Sequence, residues 1–337
     1  VEHDAQDRGA RAVRPAPNAR PRSFLAASAA HRRLLALLLL LPSTAIAQPG
    51  VSRPSWLLFD HGAATRVPPD PSTPLDPGWR RIANAVPNEG TPDPGEHYPI
   101  SNEFRHDLWF DAVRDLGGAF VGVGADQCYT LAAVQNASML WVVDFDPLVP
   151  VIHRLYSVLV PASDTPAALL ARFADENEAA TISLLEERLA DAQDREAILR
   201  AYRRNRGRMF PYLRRVLQHR PAGAAASWLS DPALYARVRA LISAGRVVAR
   251  NGDVTANGAM RAVGGAARQL GIPVRVLYFS NAEQFFPYSA SFIRNMENVP
   301  TDERSIVVRT VNHRRLVKPG PRDWHYVVQE MPDFLVR

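Results

Sequence analysis

Apolar residues recur every three or four positions through much of the chain, and short apolar runs bounded by Gly, Pro or Asp lie between them. Phe104, Leu108, Ala112 and Leu116 fall at i+4 spacing, backed by Trp109 and Val113, and predict a helix over 102–116. Gly117-Gly118 ends it. Ala119-Phe120-Val121 is a short buried strand, the Gly-rich turn 122–126 follows, and residues 127–136 are helical. Met139 to Val143 is a second apolar strand, closed by Asp144-Phe145-Asp146-Pro147. From about 164 to 243 the pattern is helical, opening on the N-cap Asp164-Thr165-Pro166 and carrying a stripe of Leu185, Leu189, Ala192 and Leu199. Asp231-Pro232 caps another helix near its end.

Alternation then resumes. Arg246 to Ala249 is a strand, and Met260, Val263, Ala267 and Leu270 mark a helix face. Val274 to Phe279 is a strongly apolar strand, and Ser305–Val311 and Trp324–Gln329 are two more, joined by a loop of hairpin-like length. Strands alternating with helices predict an α/β fold: a doubly wound, mostly parallel, Rossmann-like sheet with a helical insertion and a C-terminal β-hairpin.

The N-terminal third reads differently. Arg32-Arg33, the apolar run Leu34–Leu41, Pro42 and Ala45-Ile46-Ala47 have the order of an export signal, with cleavage before Gln48. Eight apolar residues are too few to span a bilayer, so no integral membrane span is expected once the leader is removed. Residues 48–100 carry eleven prolines in 53 positions, which forbids long helices and central strands. The expected organisation is a leader (1–47), an extended arm (48–100) in which Trp56-Leu57-Leu58-Phe59 is the piece that docks, and an α/β domain (101–337). The protein is expected to be exported, periplasmic or extracellular.

Charge narrows the function classes. Residues 1–47 hold seven arginines against Glu2, Asp4 and Asp7, which is +4 of the net +6 and leaves +2 for the rest. That small excess argues against nucleic acid as a partner. In the helical block the acids Glu178, Glu186, Glu187, Asp191 and Asp194 precede a run of arginines from Arg200 onward, an arrangement a helix macrodipole favours. Cys128, the single cysteine, excludes an internal disulfide. It lies at a helix start, where either a thiolate or plain apolar packing fits. The nine histidines show no zinc-binding spacing, so no metal is expected.

The chemistry concentrates in 118–147. Gly122 and Gly124 after a strand allow close backbone approach of a ligand, and the next helix, beginning at Asp126, offers free N–H groups. Asp144, twenty residues past Gly124, is placed to accept from ribose hydroxyls. The alternative is a tight turn with a capping Asp126 and a solvated Asp144. Ser280, Asn281 and Glu283 follow the central strand Val274–Phe279, and the carboxyl ends of such strands face the ligand crevice. There Ser280 would add a polar group, Asn281 could orient an acceptor and Glu283 could take its proton. Alternatively, Ser280 and Asn281 cap the next helix and Glu283 complements its dipole.

At the third position of a dinucleotide glycine motif this chain has Gln127. Gly118 to Ala125 and Val142 to Pro147 instead resemble the first motif and the acidic second-strand end of class I S-adenosylmethionine-dependent methyltransferases. Gly252-Asp253 is similar to their adenine-contacting segment, and Ser280-Asn281-Ala282-Glu283 occupies the place of their acceptor-side motif. The resemblance spans roughly 102–330, with the helical block as an insertion. With Ser101-Asn102-Glu103, the segments also resemble an exported bacterial branch of that superfamily to which no activity attaches. Ala119-Phe120-Val121 replaces the usual acidic start of the first motif, and no Asn-Pro-Pro-aromatic motif follows the fourth strand. The resemblance implies S-adenosylmethionine as cofactor, held by Gly122, Gly124, Asp126, Asp144 and Asp253, and a small-molecule acceptor. Methyl transfer, the related aminopropyl transfer, and a non-catalytic exported binding scaffold all remain open.

Overall fold

The computed structural model describes residues 67–311 and 325–335, all within the compact unit Arg53–Arg337. The segment expected to be an export signal, Trp56–Phe59 and the loop expected to join the last two strands lie outside the described residues.

Six strands form one sheet in the order β3-β2-β1-β4-β5-β6. They are β1 (Ala119–Gly122), β2 (Met139–Asp144), β3 (Val247–Asn251), β4 (Val274–Ser280), β5 (Ile306–Val311) and β6 (His325–Glu330). All neighbours are parallel except β5 and β6, which pair antiparallel at the edge. This is the doubly wound α/β sheet with its terminal antiparallel strand pair, and all six of its strands begin and end within two residues of the predicted ones.

Both faces are covered, which explains the nearly unbroken apolar runs. Phe120, Leu140, Val142, Val276 and Tyr278 point to one core, packed by helices α2 (Phe110–Val113), α3 (Gln127–Gln135), α4 (Leu148–Leu159), α5 (Pro166–Ala171), α6 (Glu178–Arg188), α7 (Arg195–Leu217) and α8 (Pro232–Ser243). Ala119, Val121, Trp141, Val143 and Leu277 point to the other. That face is covered by α1 (Pro77–Asn84), α9 (Ala259–Leu270), α10 (Ala290–Asn298) and α11 (Met331–Leu335). Among the described residues no helix is long and apolar enough to cross a membrane.

Three local expectations change. The helix expected over 102–116 is a 3-10 turn, His106–Trp109, followed by the single turn of α2. Leu108 is 54% exposed while Trp109 and Val113 are fully buried, so the i+4 set is not the core face. The backbone before it bends to bury Glu103, and Ser101 Oγ accepts the Glu103 N–H. Second, α4 lies directly after β2, ahead of the expected helical stretch. Third, acids and arginines pair between helices rather than along one dipole. Arg206 on α7 bridges Asp175 and Glu178, and Arg195 meets Glu186.

The arm is part of the core. Its prolines tolerate one short helix, α1, because Asp76 caps it and Pro77 sits at its first position. Val67, Leu75, Ala83 and Val86 are buried. Arg246, fully buried just before β3, donates to the carbonyls of Thr73, Pro68 and Ser138 at 2.9, 3.0 and 2.7 Å and so ties the arm to the sheet.

Candidate functional site

β1 ends in a turn built around Gly124, whose φ of +88° suits glycine. Parallel register sets Gly122 beside Val142, which brings Asp144 at the end of β2 next to that turn. Asp144 Oδ2 accepts the Gly124 N–H at 2.6 Å, and Oδ1 accepts the Asp146 N–H at 2.8 Å. Burial outweighs these two donors and pushes the carboxyl up to about 6. His153 on α4 holds the opposite side: Nε2 donates to the Gly124 carbonyl at 3.0 Å and Nδ1 accepts from Tyr129 Oη at 2.7 Å. Burial pulls its pKa down to about 4, so the ring is neutral, as these two partners require. No spacing in the sequence points to His153, because its partners come from β1 and α3.

The two predicted glycines differ. A Cβ on Gly122 would stand 2.7 Å from the Phe120 ring and 3.3 Å from Cys128 Sγ, so that residue is glycine for packing inside the core. Cys128 is fully buried there, its thiol pushed well above its ordinary value by burial, which decides for packing over reactivity. Gly124 is the one at the crevice, with Gln127 Nε2 2.4 Å from where its Cβ would be.

At the end of β3 the arm takes part. Glu89 accepts the backbone N–H of Asp253 at 2.6 Å and of Ala259, the first residue of α9, at 2.9 Å. Asp253 itself turns to Thr255, accepting from its N–H and its hydroxyl, both at 2.7 Å. Thr91 bonds Asn251 and the Phe145 carbonyl, and His97 Nδ1 lies 2.8 Å from Asp146. The arm therefore runs along the carboxyl ends of β2 and β3, beside the adenine-side residue expected at Asp253.

The three candidates after β4 separate. Ser280, with a φ of +51°, turns inward and donates to Glu103 at 2.7 Å. Glu103 also accepts from Tyr278 Oη at 2.7 Å and from Thr310, and His106 Nε2 lies 3.6 Å away. Burial raises this carboxyl, but His106, Thr310 and Ser280 outweigh it and leave the pKa below its ordinary value. Asn281 precedes a 3-10 turn without capping it through its side chain. Glu283 pairs with Arg309 at 2.8 Å and accepts from Tyr288. A guanidinium on it makes this carboxylate an ion-pair partner rather than an open base. Neither the capping nor the proton-accepting arrangement expected for these residues is the one observed.

Asp126 is not turned to the crevice either. Its buried carboxylate accepts from Tyr212 Oη and Trp228 Nε1, both at 2.8 Å, and burial raises its pKa. It lines a cleft between the 103–106 segment, the start of α3 and the end of α7, together with Glu103, His106, Gln127, Tyr212 and His219. Its internal space is small, about 10 Å³, room for roughly one water molecule. Gln127 Oε1, His106 Nε2 and His219 Nε2 are buried atoms of this lining without a hydrogen-bond partner among the described residues.

Residues 98–337 match a family described as a domain of unknown function, DUF7790. The chain belongs to that family. No curated protein matches the chain. The DUF7790 span contains the whole sheet, the Gly124 turn and the cleft, and it begins nine residues after Glu89.

Proposed function

We propose that this protein is a methyltransferase-like transferase that binds S-adenosylmethionine at the Gly124 turn and acts on a small-molecule acceptor. The observation that carries the reading is Asp144, an acid at the end of β2 held against the N–H of Gly124 at the end of β1. A carboxylate there accepts two ribose hydroxyls through the lone pairs its backbone donors leave free. Gln127 supports the fit, since its buried Oε1 beside the turn has no hydrogen-bond partner and would accept from a ligand donor. When bound, S-adenosylmethionine supplies an already activated methyl group. The chain's own work is then to orient: Asp144 holds the ribose, Gln127 takes a donor, and His153 keeps Gly124 in place. Of the residues after β4, Asn281 remains the proposed acceptor-orienting group, while Ser280 and Glu283 are engaged by Glu103 and Arg309.

Two observations favour a second reading, a non-catalytic exported scaffold. The arm and Glu89 hold the β3 end, and Glu283 is engaged by Arg309. Export through the signal proposed at 31–48 would take the protein away from the cytoplasm, where the methyl donor is made. Calorimetric titration of the full chain with S-adenosylmethionine and S-adenosylhomocysteine separates the two. Saturable binding, weakened ten- to a hundredfold by Asp144→Ala (about 1.5–3 kcal/mol), is expected. Absence of binding by the folded protein leaves only the scaffold.

A further inference from the structure

The outer side of α7 carries a charge pattern that neither the sheet nor the crevice uses. After Glu196 this 23-residue helix holds no acidic residue through its last position, Leu217. Arg195 is answered by Glu186, and Arg206 by Asp175 and Glu178. The other six arginines, Arg200, Arg203, Arg204, Arg208, Arg214 and Arg215, are exposed, and none forms an ion pair among the described residues. At about 100° per residue they share one sector of about 140°, opposite the buried Tyr202, Met209 and Leu213. Gly207 and Pro211, both exposed, lie near the middle of that sector. A Cβ on Gly207 would meet nothing within 4 Å, so the face is open there. The stripe runs about 22 Å from Arg200 to Arg215. Like charges at i+3 and i+4, such as Arg200 with Arg203 and Arg204, repel one another. Arg208 reaches the His97 carbonyl at 3.2 Å, and Arg214 and Arg215 lie over the rings of Phe210 and Phe104. Those contacts fix guanidinium groups without neutralising them.

We infer that the arginine face of α7 docks on an anionic lipid surface. Charge complementarity sets the sign of the partner, and the make-up of the face selects the bilayer. A specific protein interface is built on an apolar centre with buried anchors, whereas the middle of this face is Gly207 and Pro211. Single-stranded nucleic acid is held by exposed rings on which bases stack. Here Tyr202 and Tyr212 are buried, and none of the exposed large apolar side chains lies on α7. Duplex DNA calls for a strong basic excess, and residues 48–337 carry only +2. A convex rod of long arginines instead presents its charges to a plane of lipid phosphates, where each basic residue near the surface adds to the attraction. With no apolar side chain to insert, the docking is electrostatic throughout, and salt reverses it. The inference does not depend on the adenosyl reading, and its test uses no adenosyl ligand, so either can fail alone.

The test sediments the full chain with vesicles of phosphatidylcholine and with vesicles of phosphatidylcholine plus phosphatidylglycerol, at low and at high ionic strength. Binding to the phosphatidylglycerol vesicles alone, released by salt, is expected. Arg200→Gln, Arg203→Gln and Arg204→Gln together remove three charges that no hydrogen bond or ion pair holds, so the fold should survive. Vesicle affinity of that triple variant should fall about tenfold or more. Arg81→Gln, Arg261→Gln and Arg294→Gln together remove the same charge from exposed positions on α1, α10 and α9, across the sheet, and should leave binding close to wild type. Four results overturn the inference: no binding to phosphatidylglycerol vesicles, equal binding to phosphatidylcholine alone, equal losses in the two triple variants, or tighter binding of duplex DNA than of vesicles at matched phosphate concentration.

Discussion

Asp144 and His153 hold the same residue from opposite sides. The carboxylate accepts the N–H of Gly124 and the imidazole donates to its carbonyl, at 2.6 and 3.0 Å. One arrives from the end of a strand and the other from the helix that follows it, so the turn is fixed by the β2–α4 unit as much as by β1. The two groups also titrate in opposite senses.

For Asp144 the folded pKa, about 6, lies above the ordinary 3.8, so the native state holds the extra proton between those values and stability falls as pH rises through them. For His153 the folded pKa, about 4, lies below 6.5, so the unfolded state holds the extra proton and stability is lost as pH falls from 6.5 toward 4. The two contributions largely cancel in the wild type. Asp144→Asn leaves His153 unopposed and should steepen the acid-side loss of stability by up to about 1.4 kcal/mol per pH unit. Urea midpoints at a series of pH values from 4 to 7 measure it. An unchanged slope would show that burial does not raise the pKa of Asp144 in the folded protein.

Gly124→Ala should destabilise the protein by about 1–3 kcal/mol, because alanine at that φ is strained and its methyl meets the Gln127 amide. Adding Gln127→Ala relieves only the contact, so the double variant should recover part of the loss. Full recovery in equilibrium unfolding would place the cost in packing rather than in the backbone.

Glu89→Ala leaves two backbone N–H groups, those of Asp253 and Ala259, without their acceptor. A loss of about 1–2 kcal/mol is expected, as for removal of a helix cap. Hydrogen exchange should report the change first at the start of α9. Protection there equal to wild type would mean that the arm only lies over the β3 end without stabilising it.

Arg309 and Glu283 have side chains only 4% and 7% exposed, so breaking the pair from one side should be severe. Arg309→Met is expected to cost about 3–5 kcal/mol, and Glu283→Gln in the same chain should return much of it. If Glu283→Gln alone has normal stability but abolishes an activity, the carboxylate serves chemistry rather than structure.

Much of the architecture was written locally. Runs such as Met139–Val143 and Val274–Phe279 are apolar throughout because both faces of those strands are covered, and Asp144 marks the end of β2 in the sequence as in the fold. Periodicity failed at 102–116, where the i+4 set includes the exposed Leu108 and the core contacts are made by Trp109 and Val113 instead.

Side-chain partners were another matter. Asp126, read as a cofactor or capping residue, turns to Tyr212 and Trp228, 86 and 102 positions away. Glu103 gathers Ser280 and Thr310 from 177 and 207 positions away. Sequence by itself determined where the strands, the glycine turn and the acid at the end of β2 lie, since those depend on local apolar periods and turn chemistry. Only the tertiary structure decided what each carboxylate does: a buried carboxylate must find donors, and the donors here come from elements that adjoin it in space and not along the chain.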